Sequence, residues 1–397
     1  MVRRVPMRVL ALGGAGWMGL DTAHFLVASD EVSEVVIAGR DLETAERAAA
    51  ELGDKASAVQ IDVLDEERLA SLASGADVVV NTAGPEWVAV LPALRAAIEA
   101  GVNYCDLCAY GPTTEEALTL DGAAKAAGVT AIVGIGIVGL TNLMLLHAAG
   151  RLDETEELRL CIFLKVPLWG SEPKTTLAEW REASRAGIGW QLIMKHAADR
   201  VRVYRDGAWL DVDPLEDGVR VTVPGARDVI AYPCALPEPI TVPRTLKDVR
   251  SVSAVVSLFP PRLTQLWCEL GRRISCGELD ESTAAISFFE YQAAQPEASL
   301  ALPAEYGASS VIWAEAVGAK HGKRQRYKCW ANADWDTTAG PLATAAMKIL
   351  RGEIDARGVL APESCLDPLP FFAEVAKLEG VEPPGGELLA ESFEVLE

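Results

Sequence analysis

The sequence predicts an α/β protein: a doubly wound parallel sheet, followed by a second domain of the α+β kind. Three observations carry this. Strand-like and helix-like segments alternate through the first third of the 397 residues. Residues 77–81 (Asp-Val-Val-Val-Asn) are apolar on both faces, as a strand buried inside a parallel sheet must be. Past about residue 140 the strand-like segments instead pair with their sequence neighbours, as antiparallel hairpins do.

In chain order, residues 8–12 read as a short apolar strand, 18–28 as a helix, 34–38 as a strand and 41–52 as a helix rich in Ala and Glu. Residues 58–62 are a third strand, 66–73 a helix and 77–81 the fourth strand. A long helix at 88–100, a strand at 103–107, a helix at 116–127 and a strand at 129–133 complete the first domain. In the second, 158–166 alternates as a strand, and 201–204 and 209–212 flank an Asp206-Gly207 turn. Residues 309–317 pair with 324–331, and helices occupy 176–195 and 261–274. A helix at 338–351 and a Pro-rich tail follow, giving expected divisions at 1–139, 140–334 and 335–397.

Composition bounds the function. The chain is 50% hydrophobic, 23% charged and 6% aromatic, with 33 Gly and 22 Pro, which is ordinary globular usage. No apolar run reaches the ~18 residues that span a bilayer. The amino-terminal residues lack the apolar stretch of a signal peptide, because glycines interrupt it at Gly13, so a cytoplasmic protein without membrane attachment is expected. A net charge of −21 repels phosphate backbones and argues against nucleic acid as a partner. The basic run 320–328 reads as a solvated hairpin tip. Eight scattered cysteines suit reduced thiols, and the lone Cys105-x-x-Cys108 lacks the second pair or histidines that zinc needs; no metal is expected. Four widely separated histidines form no ligand pattern.

One motif carries chemistry. After the first strand comes Gly13-Gly14-Ala15-Gly16-Trp17-Met18-Gly19, with G-x-G-x-x-G at 14, 16 and 19, opening directly into a helix. One glycine makes the tight turn, the next admits a pyrophosphate to the backbone, and the third packs helix on strand. The helix amino terminus offers its N–H groups to the anion. Cofactor choice is written after the second strand, where an acid would hold the ribose 2′-hydroxyl of NAD. Here Gly39-Arg40-Asp41 stands there, and an Arg fits the 2′-phosphate of NADP. The competing reading makes Asp41 the NAD acid and Arg40 a surface charge. Asp62-Val63 is expected beside the adenine, and Asn81-Thr82-Ala83-Gly84-Pro85 beside the inner ribose and pyrophosphate, each being otherwise an ordinary strand-end turn. A second match at Gly134, Gly136 and Gly139 is read as a backbone loop approaching the nicotinamide or substrate.

Taken together, residues 13–19, 38–41, 76–85, 100–107, 124–129, 136–142, 238–244 and 358–363 with Asp367-Pro368 resemble the saccharopine dehydrogenase-like family. The resemblance implies a Rossmann domain, an inserted α+β domain that often makes a dimer, and a carboxy-terminal segment returning to the first domain. It also implies hydride transfer at a carbon bonded to amino nitrogen in a small-molecule substrate. Tyr104-x-Asp106 matches the family's strand-end Tyr-x-Asp next to the nicotinamide. In the 136–139 loop Val138 replaces the usual Pro, a departure that touches the backbone path.

Imine reduction needs a hydride and a proton for nitrogen. Asp106 and Tyr110, at strand carboxyl ends, are the first candidates for the proton, and Lys165 is a base if burial lowers its pKa. Asp106 otherwise caps a turn, Tyr110 is otherwise a packed aromatic, and His147 and His196 read as structural. Arg181, Arg185, Lys174 and Arg244 could hold substrate carboxylates, and Trp169, Trp180 and Trp190 could line a pocket or a dimer core. The expectation is an NADP-preferring oxidoreductase at C–N bonds of an amino acid, opine or imine. Its alternatives are a C=C or C=O reductase on the same fold and an inactive cofactor-binding scaffold.

Overall fold

A computed structural model describes residues 7–165, 188–215, 217–294, 310–332, 338–380 and 388–396. The chain divides into two compact units, Met1–Leu143 with Asp336–Leu388, and Met144–Trp335 with Leu389–Glu397. Among the described residues no helix is long and apolar enough to cross a membrane.

In the first unit, strands β1 (Met7–Leu12), β2 (Val32–Gly39), β3 (Ala56–Gln60), β4 (Val78–Asn81), β5 (Asn103–Asp106) and β6 (Thr130–Ile132) form a wholly parallel sheet. The strand Gly358–Leu360 extends it beside β6, so the order runs from that strand through β6, β5, β4, β1 and β2 to β3. The order reverses between β1 and β4, and that switch point opens a crevice at the carboxyl ends of the strands. The central strands are buried on both faces, Leu10, Leu12, Ile37 and Val78–Val80 among them. Each such side chain contributes roughly 1.5–3 kcal/mol on leaving water.

One expected helix, 116–127, is two: Gly111–Leu118 and Asp121–Ala126. Pro112 in the first turn starts the first helix early, because its fixed φ suits that turn and its missing N–H costs nothing there. Asp121 opens the second. One of its oxygens accepts from Lys125 Nζ at 2.7 Å and the other from the Val359 N–H at 3.1 Å, which fastens the last strand to the sheet.

The second unit holds β7 (Glu154–Lys165), β8 (Val201–Arg205), β9 (Ala208–Val212), β10 (Val219–Thr222), β11 (Asp228–Pro233), β12 (Ser251–Phe259), β13 (Val311–Lys320) and β14 (Lys323–Asn332) in one mixed sheet. Two of its hairpins turn where sequence placed them. Asp206 and Gly207, and likewise His321 and Gly322, all have positive φ, the mirror-image turn that matches strand twist. An apolar cluster of Cys161, Phe163, Val255, Phe259, Val311 and Trp313 packs beneath Val221, Val223 and Ala231 of the β10–β11 hairpin. Three basic residues of the β13–β14 hairpin are ion-paired: Arg324 with Glu156 and Glu157, Arg326 with Glu394, and Lys328 with Glu315 at 2.9 Å.

The carboxy-terminal segment is shared between the two units. Residues 339–379 belong to the first unit, but Ala390–Val395 pairs antiparallel with β14 in the second sheet. Its side chains anchor it there. Glu391 accepts from Arg151 at 2.9 Å and meets His147 at 3.0 Å, and Phe393 packs on Tyr327 with ring centroids 4.9 Å apart.

Candidate functional site

The glycine loop between β1 and the helix Trp17–Ala28 is built by close approach. Gly13 has φ +70°, and a Cβ there would lie 2.6 Å from the Ala83 nitrogen. A Cβ on Gly19 would overlap the Gly13 carbonyl oxygen and lie 2.5 Å from Thr82 Oγ1. These two glycines let the β1 turn, the helix and the β4 turn pack together. Gly16 differs: its backbone is extended, and a Cβ would meet only the Gly13 carbonyl oxygen, at 3.2 Å. Gly16 has no side chain with which to cap the helix it opens, and a helix amino terminus of this kind favours an anion. Ala15 lies in the same turn, and Trp17 and Met18 are the first residues of the helix, the part of a helix where an anion is favoured.

Beyond β2, Gly39 has open space where a Cβ would be. Asp41 is committed locally: its Oδ1 accepts from the Thr44 N–H at 2.8 Å and caps the helix Leu42–Leu52. That hydrogen bond holds its carboxyl below the usual range. The Arg40 side chain is exposed, and no hydrogen bond or ion pair engages its guanidinium among the described residues. After β3, Asp62 Oδ1 accepts from the Leu64 N–H at 3.0 Å and shapes the turn that carries Val63. Trp17, Leu42, Leu64 and Val88, four of the large apolar residues left exposed, follow the carboxyl ends of β1, β2, β3 and β4 respectively. Apolar surface gathered on that one edge suits the rings of a dinucleotide.

Past β4 and β5 lies a buried polar network. Asn81 Oδ1 accepts from the Ala83 N–H at 3.0 Å, Asn81 Nδ2 donates to the Tyr104 hydroxyl at 2.9 Å, and that hydroxyl donates to Asp106 Oδ2 at 2.8 Å. Asp106 Oδ1 accepts from the N–H groups of Cys108 at 2.9 Å and Gly134 at 2.8 Å. Both oxygens of Asp106 are thus engaged in holding the turns after β4, β5 and β6 together. Glu86 makes a second clamp, its Oε2 accepting from the N–H groups of Ala109 at 2.7 Å and Tyr110 at 3.1 Å. Burial pushes the Asp106 carboxyl up to about 6, and burial with the nearby Asp106 charge pushes Glu86 up to about 8.

The sign of that shift is testable. A carboxyl that holds its proton more tightly folded than unfolded contributes stability that is fully present below its ordinary value of 4.5 and falls as pH rises through about 8. Glu86→Gln is therefore expected to melt close to wild type at acid pH and several degrees above it at alkaline pH. Thermal scans of both proteins across pH check this, and a difference that does not widen with pH contradicts it.

The expected loop at 136–139 is shorter than the motif suggested. Gly136 has φ +145°, with Thr338 Cγ2 3.0 Å from a built Cβ, and the helix Ile137–Ala149 starts immediately after it. Tyr110, at the start of the helix Gly111–Leu118, is buried and meets Trp87 edge-on at 6.1 Å. Lys165 ends β7, and its side chain, like Val138, Trp169, Lys174, Trp180, Arg181 and Arg185, lies outside the described residues. Trp190 packs against Phe288 and Phe289 in the second unit, Arg244 lies over the Trp209 ring, and His147 and His196 are engaged structurally. Sequence reading missed Asn81 as a network member and missed Glu86 altogether. Glu86 looks like an ordinary first-turn acid, and nothing local signals amides 23 and 24 residues away.

Comparison with known proteins bears on this site. Residues 9–132, the span from β1 through β6 that contains both the glycine cradle and the clamps, match the family model described as the saccharopine dehydrogenase NADP binding domain. The chain is 23% identical over 400 residues to carboxyaminopropylagmatine dehydrogenase of Synechocystis sp. (strain ATCC 27184 / PCC 6803 / Kazusa), covering 94% of this chain and 96% of that one. Both findings make the chain similar to the saccharopine dehydrogenase-like family, the first of them over residues 9–132. The fold of apo saccharopine dehydrogenase (L-Glu forming) from Saccharomyces cerevisiae agrees, with a TM-score of 0.65 at 16% identity over 98% of this chain and 100% of that one. The first unit therefore has the Rossmann fold, and its residues 9–132 resemble an NADP binding domain.

Proposed function

We propose that the protein is an NADP-preferring dehydrogenase or reductase acting at a CH–NH or imine group of a small amino acid, opine or imine. The observation that carries the cofactor choice is the pair Arg40 and Asp41. Asp41, the residue an NAD reading requires, spends its carboxylate on the Thr44 N–H, while Arg40 beside it has no partner among the described residues. A guanidinium there offers a bidentate site to the 2′-phosphate, and the open space at Gly39 leaves room for the ribose. The reaction class rests on the relatives: one acts by its name on carboxyaminopropylagmatine, the other is a saccharopine dehydrogenase, and both names denote amines. The reading carries with it a cytoplasmic homodimer serving amino-acid metabolism.

When bound, the nicotinamide supplies or takes the hydride. The Gly13–Gly19 cradle would hold the pyrophosphate, Asp62 and Val63 would flank the adenine, Thr82, Ala83 and Gly84 would lie beside the inner ribose and pyrophosphate, and Gly136 would border the nicotinamide. Tyr110 is the group proposed to exchange the proton with nitrogen, with Lys165 as the second candidate. Asp106, its oxygens already shared among two amides and the Tyr104 hydroxyl, fixes the turn that leads to Tyr110.

Arg40→Ala is expected to weaken NADPH binding about tenfold or more, roughly 1.4 kcal/mol, and to leave NADH binding nearly unchanged. Calorimetric titration of both nucleotides checks this. Equal losses for the two sink the 2′-phosphate assignment.

A further inference from the structure

Glu86 is the first residue of the helix Glu86–Ala100 and is buried. Its Oε2 accepts from two successive backbone N–H groups, those of Ala109 and Tyr110. Tyr110 is the residue from which the helix Gly111–Leu118 springs, and no side chain caps that helix from within its own turn. One carboxyl therefore ties the helix that follows β4 to the helix that follows β5. Trp87, its neighbour, meets the Tyr110 ring edge-on, so one turn of chain governs both the backbone and the ring of Tyr110.

Packing alone does not account for an acid at this position. Burying a carboxyl costs free energy that an apolar side chain of the same size would not incur. Here the cost is offset by two amides that the Asp106 carboxyl does not reach, since its oxygens are engaged with Cys108, Gly134 and Tyr104. The two acids divide the turn between them: Asp106 fixes Cys108, and Glu86 fixes Ala109 and Tyr110. The turn lies past the carboxyl ends of β4 and β5, on the edge where open parallel sheets bind ligands.

We propose that Glu86 is a positioning residue for the hydride transfer, setting the orientation of Tyr110 and the 107–110 turn at the nicotinamide end of the site without touching substrate itself. This rests on the cofactor reading above.

The test compares the full-length wild type with Glu86→Met, which fills the space without an acceptor oxygen, and Glu86→Gln, which restores one. Three quantities are read: amide exchange at Ala109 and Tyr110 in the resting protein, NADPH affinity by calorimetry, and the fluorescence gain of the reduced nicotinamide on binding. In Glu86→Met the two amides should exchange at least about tenfold faster, as befits loss of their acceptor. NADPH affinity should stay within about threefold of wild type, because the cradle and Arg40 are untouched, while the nicotinamide fluorescence gain should fall by about half or more. Glu86→Gln should return both the exchange and the fluorescence to near wild type. Unchanged exchange in Glu86→Met, unchanged fluorescence despite faster exchange, or a Gln variant no better than Met each overturns the role. Should Glu86→Met fail to fold, Glu86→Gln with wild-type exchange and fluorescence supports the role, and Glu86→Gln without them overturns it. Failure of the cofactor reading is seen separately, as a wild type that binds no NADPH.

Discussion

Gly19→Val is expected to abolish nucleotide binding and to yield much less folded protein, whereas Gly16→Val should fold and still fail to bind. The contrast follows from what each new side chain meets. At Gly19 a Cβ overlaps the Gly13 carbonyl oxygen and approaches Thr82 Oγ1 to 2.5 Å, and both atoms belong to turns fixed by the sheet. The clash can be relieved only by parting the helix from β1 and β4, an overpacking cost of about 3 kcal/mol or more. At Gly16 the backbone is extended and the nearest atom to a Cβ is 3.2 Å away, so the fold pays about 1 kcal/mol for a poor N-cap. The valine instead occupies the space in front of the first-turn amides, and NADPH affinity should fall by about a hundredfold or more. Thermal melts together with calorimetry separate the two. A folded Gly19→Val that binds like wild type, or a Gly16→Val that does, contradicts the placement of the pyrophosphate.

The second large effect is expected at Asp106. Asp106→Ala removes the acceptor from the Cys108 N–H, the Gly134 N–H and the Tyr104 hydroxyl, all buried. A buried donor left without a partner costs about 1–3 kcal/mol, and three in one network place the loss near 3–5 kcal/mol after relaxation. The melting temperature should drop by about 10 °C or more. Asp106→Asn keeps one acceptor oxygen for the two amides and should lose much less. An alanine variant that melts within a degree or two of wild type means that the network does not hold these turns.

The two carboxylates also mark the boundary of what the sequence discloses. The glycine turn after β1 and the alternation of strands and helices are legible because each is local: a turn needs its glycines within seven residues, and a buried strand shows its apolar run. Asp41 left two readings open, and its hydrogen bond to the Thr44 N–H is visible only in three dimensions. The role of Glu86 depends on bringing β4 and β5 side by side, and its partners are backbone amides, which every residue carries. The strand Ala390–Val395 was hidden for a related reason. Proline and glycine crowd the stretch before it, and its acceptor is an edge of β14, some 65 residues earlier in the chain. The helix break at 119–120 has no proline or glycine to announce it. It follows from an early start at Pro112 and from Asp121, which is drawn toward Val359.

The central claim is that the crevice at the carboxyl edge of the first sheet binds NADPH through the Gly13–Gly19 cradle and Arg40. Calorimetric titration of the purified protein with NADPH and, separately, with NADH tests it most directly. The account predicts tight binding of NADPH and binding of NADH at least about tenfold weaker. Folded protein that binds neither nucleotide, or NADH more tightly than NADPH, contradicts it.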